Sequence, residues 1–161
     1  MQDKTVFASP DIAVFDTHRR DREEIILLVQ EDKRYKATEY DRTNATAQLM
    51  AEVIAAFAKN NDVFENKLVS QTFYGVVMLG SRPTFYRIPM TRQFYEYVRD
   101  NNRVTNNEIR MVVDSYTPAN SRDHETNFMV KEAGNVRLIF DCFERLHQLV
   151  LDARTTRVLS V

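Results

Sequence analysis

The sequence predicts a single α/β domain of the α+β kind, a mixed central β-sheet flanked by helices, and three observations predict it. Short runs rich in Val, Ile, Phe and Tyr recur in pairs separated by polar or Gly/Pro-containing turns, as hairpins require. Two longer stretches repeat apolar residues at three- and four-residue spacing, which is the period of an amphipathic helix. The 161 residues are 43% apolar, with 10 Phe and 7 Tyr, enough for one core, and no repeat, low-complexity tract or linker divides the chain.

The elements follow in order. Residues 5–15 read as two short strands, or one strand broken at Pro10. A polar stretch, residues 16–24, leads to the β-branched run IILLV at 25–29, and these two runs pair as a hairpin. With the turn centred near Asp21, Asp11 falls opposite Glu31, Ala13 opposite Val29 and Phe15 opposite Leu27. Alternation then gathers Asp11, Glu31 and Lys33 on one face and Ile12, Val14, Ile26 and Leu28 on the other. Apolar residues on both faces predict a central strand pair. Residues 43–60 read as a helix with Leu49, Met50, Val53, Ile54 and Phe57 on one stripe, capped by Thr43 or Asn44 and ended by Asn60-Asn61. A second hairpin joins 71–79 to 84–90 through a turn at 80–83. A short helix at 92–101, a strand at 108–116 and an irregular polar segment at 117–135 precede the last helix, 136–154. Its stripe is Val136, Ile139, Phe140, Phe143, Leu146 and Val150.

Charge and cysteine content narrow the function. Lys+Arg number 22 and Asp+Glu 23, for a net charge of -1, so nucleic acid is not held by bulk electrostatics and any such binding needs a local patch. Cys142 is the lone cysteine, which excludes an intramolecular disulfide and a cysteine-rich zinc site. With no leader-like start and no apolar run of membrane-spanning length, an intracellular protein without membrane contact is expected.

The chemistry concentrates in Pro10-Asp11, nineteen intervening residues, and then Glu31-Asp32-Lys33. Two carboxylates and an ammonium at the end of an apolar strand are costly unless they pair with one another or bind a cation. Converging carboxylates are the hard oxygen donors that Mg2+ takes, with water and phosphate completing its shell. A lysine beside them can orient or help deprotonate an attacking water.

Pro-Asp on one strand, a hairpin, an apolar strand ending in Glu-x-Lys and then an amphipathic helix resemble the PD-(D/E)XK nuclease superfamily. The matching segments are SPDIAVFD, IILLVQEDK and TAQLMAEVIAAF, and FYGVVMLGSRPTFYRI is similar to the strands that follow in restriction-enzyme-like branches. The resemblance covers residues 5–90 and implies a restriction-endonuclease-like core. It also implies Asp11 and Glu31 as ligands of Mg2+ or Mn2+, the backbone carbonyl of Asp32 as a third ligand, and Lys33 as the catalytic lysine. Gln48 sits where certain branches carry a glutamine followed four residues later by tyrosine; here that position is Glu52. Superfamily members commonly begin with a helix, whereas only nine residues precede Pro10.

DNA, more than RNA, is the expected substrate. Six arginines against three acids between Gly80 and Arg110 make a locally basic segment. Arg19, Arg20, Arg34, Gln48, Arg82 and Arg87 are the expected nucleic-acid contacts. The plain reading of Asp11, Glu31 and Lys33 is an exposed salt-bridged cluster contributing about 0–1 kcal/mol. Under it the chain is a catalytically inactive nuclease-like module that binds a protein or nucleic acid partner. Asp16 and the Asp32 side chain are read as solvated, Cys142 as a small packed residue, and the final helix as a candidate homodimer interface.

Overall fold

Two hairpins joined by one long helix make up the centre of the molecule. A computed structural model describes residues 12–19, 22–32, 39–63, 68–80, 82–100, 109–118, 133–153 and 158–159. Within them run β1 (Ile12–Arg19), β2 (Arg22–Asp32), α1 (Glu39–Val63), β3 (Leu68–Leu79), β4 (Arg82–Thr91), α2 (Arg92–Arg99), β5 (Asp114–Tyr116), α3 (Ala133–Ala153) and β6 (Val158–Leu159). The strands form one mixed sheet in the order β1-β2-β3-β4-β5, with β6 on a short stretch of β3. Only β2 and β3 are parallel, and α1 is their crossover.

The sheet has a helix on each face because β3 is apolar in both of its alternating rows. Phe73 and Val77 belong to a core shared with Leu49, Val53 and Phe57 of α1, while Tyr74 and Val76 pack with Leu146 and Val150 of α3. Gly75 lies in the α1 row. A Cβ there would sit 2.8 Å from Leu49 Cδ2, so the missing side chain sets how closely α1 approaches. The β3–β4 turn closes between Leu79 and Arg82, where Gly80 takes φ 59, a left-handed conformation suited to glycine. The helix α2 starts at its cap Thr91, whose Oγ1 accepts a hydrogen bond from the Phe94 amide at 3.2 Å.

Several expectations are corrected. The centre of the sheet is β3, and β1 is an edge strand: Ile12 and Val14 are 57% and 38% exposed, while Ala13 packs on the α1 core. The first hairpin is also one residue out of the expected register. Ile12 pairs with Val29, Ala13 with Leu28 and Val14 with Leu27, and a bulge then sets Phe15 against Ile25. The offset is set where the hairpin turns, since Arg19 already meets Arg22; the two irregularities between there and Val14 compensate, and an unbroken apolar run such as IILLV gives no pattern by which to place either. The polar residues 16–19 and 22–24 continue as strand where a loop was expected, and 109–113 is not strand.

The helix α1 runs past Asn60 to Val63. Asn60 is fully buried there, and its side chain serves the sheet. The Ile25 amide donates to Asn60 Oδ1 at 2.9 Å, and Asn60 Nδ2 donates to the Ile25 carbonyl at 2.8 Å and to Gln71 Oε1 at 3.0 Å. Ladder pairing of β2 with β3 begins only at Leu27 with Tyr74, so the amide plugs the fork below it. These hydrogen bonds override the low helix propensity of asparagine. Beyond the fork, β6 takes up the edge of β3 at Leu68 and Ser70.

Candidate functional site

The acidic end of β2 is where the sequence puts its chemistry. Glu31 pairs with Met78 and Asp32 with Leu79, the last two pairs of the parallel β2–β3 ladder. Leu79 in turn pairs with Arg82, so Asp32, Leu79 and Arg82 form one row across three strands, spanning about 10 Å at the usual strand spacing. Arg82 is half-buried there. Three of the expected site residues, Glu31, Asp32 and Arg82, therefore share one end of the sheet. Asp11, Arg20, Lys33 and Arg34 lie outside the described residues, and Glu31 and Asp32 enter through their backbone alone.

Other expected members of the site are elsewhere. Arg19 ends β1 against Arg22, at the opposite end of β2 from Asp32. Nine residues of strand, about 30 Å, separate that row from Glu31, so Arg19 does not belong to a rim around it. Asp16, paired with Glu24, is likewise at the far end. The register slip matters here too. It moves the row of Glu31 from alignment with Ala13, the row expected to include Asp11, to alignment with Ile12 and Val14, so the register of the described residues does not support the shared face expected for Asp11 and Glu31. Arg87 lies further down β4 in the row of Tyr74, where its guanidinium is 3.0 Å from the Asp114 carboxylate.

Gln48 is exposed on α1, and its Nε2 donates to Glu52 Oε1 at 3.2 Å. Glu52, which stands where the resemblance would put tyrosine, is 2% exposed. A carboxylate buried to this degree on the crossover helix is held by specific contacts, since burying a charge is costly without them. Among the described residues no three His, Cys, Asp or Glu side chains cluster as a metal site, and no helix is long and apolar enough to cross a membrane.

Sequence reasoning missed a second feature, a groove of about 390 Å³ between α3 and the β4–β5 edge. Its floor is apolar, with Tyr74, Phe85, Leu146 and Leu149, and Arg87, Asp114, Asp141 and Arg145 contribute charge. Cys142 opens onto it. Burial, and secondarily the neighbouring Asp141 charge, push that thiol above its ordinary pKa, which makes it a poor nucleophile and suits a packing role. The groove depends on how α3 lies across the sheet, a long-range arrangement with no local signature beyond the alternation of charge on α3. No protein-family model, curated protein or solved structure matches the chain.

Proposed function

We propose that the chain is a metal-dependent nuclease of the PD-(D/E)XK type, acting inside the cell on phosphodiester bonds, with DNA as the favoured substrate. The observation that carries this reading is topological. The strand that ends in Glu31-Asp32 is joined through a single helix to a parallel neighbour at the centre of the sheet, and ligand sites in sheets of this kind sit beyond the carboxyl ends of the parallel strands. Arg82 in the same row supplies a cation for a phosphate.

In this reading Asp11, Glu31 and the Asp32 carbonyl offer hard oxygens, the donor type that suits Mg2+ or Mn2+. The ion, when bound, polarises the phosphoryl group and stabilises developing charge. Lys33 orients the attacking water and assists loss of its proton. Gln48 and Arg82 position the phosphate backbone. Arg87 contributes less, because Asp114 already neutralises it.

The test is cleavage of supercoiled and linear DNA, and of RNA, by purified protein with Mg2+ or Mn2+. Glu31→Ala and Lys33→Ala are each expected to lower the rate by about a hundredfold or more. The melting temperature of the parent should rise with the ion, and that rise should vanish in Glu31→Ala. A protein that melts cooperatively, cuts nothing with either ion and shows no ion-dependent shift overturns the nuclease reading. It would favour the alternative, an inactive nuclease-like module that binds a partner, for which the open face around α3 is the supporting observation.

A further inference from the structure

One flank of α3 is finished neither as surface nor as core. Val136, Phe140, Phe143 and His147 recur at four-, three- and four-residue spacing, which lines them up along the helix in the manner of a coiled-coil seam. Phe140 is 66% exposed and Phe143 37%, although the inner side of the helix is closed by Ile139, Leu146 and Val150. Phe143 is steadied from below by an edge-to-face contact with Phe85, ring centroids 5.1 Å apart, which holds it in place at the surface. Two opposite charges border this seam. Arg137 follows Val136 and Glu144 follows Phe143; both are exposed, and neither makes an ion pair or hydrogen bond among the described residues.

We infer that α3 is a self-association surface, on which a second copy of this chain docks its own α3 in antiparallel orientation. The occupant is identified by charge. When two such helices run antiparallel with Phe140 against the partner subunit's Phe143, the residue after each seam position meets its counterpart across the two-fold axis. Arg137 then reaches the partner subunit's Glu144, and Glu144 reaches the partner subunit's Arg137. In a parallel pairing the residue after a seam position faces the one before the preceding seam position of the other helix, which would set Glu144 against the partner subunit's Ile139 and leave its charge unmatched. The two-fold arrangement forms two ion pairs around four phenylalanine rings, the self-complementary pattern that a closed dimer needs.

The measurement is the mass of the full chain by light scattering on a sizing column and by sedimentation over a concentration series, with reductant present so that Cys142 cannot cross-link. A reversible monomer–dimer equilibrium is expected. Phe140→Asp should abolish it, and Arg137→Glu and Glu144→Arg should each weaken it by about tenfold or more, because each replaces attraction by repulsion across both pairs. Mixing Arg137→Glu protein with Glu144→Arg protein should restore dimers, since only the mixed pair is complementary. All three positions are exposed, and the melting curves of the variants should match the parent at low concentration. A monomeric parent at millimolar concentration, a dimer indifferent to Phe140→Asp, or charge variants that fail to recover on mixing would each overturn the inference. The readout is mass, so it stands or falls separately from cleavage.

Discussion

The two faces of the sheet carry helices of similar length and opposite habit. On one face α1 presents Ala45, Leu49, Val53, Ala56 and Phe57, each no more than 7% exposed, and comes so close that Gly75 has no room for a Cβ beside Leu49. On the other face α3 covers β3 through Ile139, Leu146 and Val150, and leaves a groove on one side, exposed phenylalanines on the helix, and bare Ile12 and Val14 on β1. Small residues let a helix settle onto a sheet; larger ones spaced around more of the helix prop it up and leave apolar surface to spare. The first face holds the larger buried cluster, and the second holds a smaller one and keeps apolar surface exposed.

The sharpest way to break this contrast is to truncate one phenylalanine from each helix. Phe57→Ala should cost about 3–5 kcal/mol, because a ring at 0% exposure leaves a cavity that its close-packed neighbours cannot fill. Phe140→Ala, measured at concentrations too low for association, should stay within about 0.5 kcal/mol. Chemical denaturation of the two variants checks this, and equal losses would mean that α3 is as integral to the core as α1. Next in size is Asn60→Ala. It removes the hydrogen bonds to the Ile25 amide, the Ile25 carbonyl and Gln71, and stranding these buried groups should cost about 2–4 kcal/mol by the same measurement. Smaller than Asn60→Ala is Gly75→Ala, about 1–2 kcal/mol from crowding Leu49. In the double variant with Leu49→Ala the losses should be less than additive, because the smaller residue at 49 makes room for the new methyl group.

Periodicity carried the order of elements far. The crossover helix, the second hairpin, α2 and α3 all lie close to where the sequence puts them; α1, β3 and α3 bury faces that their own sequence marks, while α2 has no buried residue. What stayed hidden depends on partners distant in the chain. The first hairpin turns so that Arg19 meets Arg22, which already sets the register one residue from expectation, and the two irregularities that follow cancel without changing the apolar pattern. Asn60 reads as a helix terminator until its contacts with Ile25 and Gln71 are known. Strand β6, Val158–Leu159, is too short to carry a pattern. For the candidate site, the acidic end of β2 was legible because Glu31-Asp32 close an apolar run, whereas its row with Arg82 rests on the parallel pairing of β2 with β3, which no local pattern marks. Arg19 was misjudged for a simple reason: the polar residues after Phe15 extend the ribbon, which carries Arg19 away from Glu31.

The plug formed by Asn60 has a kinetic implication as well. Ile25 lacks a ladder partner on β3, so its amide gains shelter from solvent only once the last turns of α1 have docked. The strand cannot finish its bonding before the helix arrives, and the helix has no reason to hold a buried asparagine before the strand is there. Hydrogen exchange at Ile25 thus becomes a reporter of that joint event, with helix and sheet assembling as a single cooperative unit.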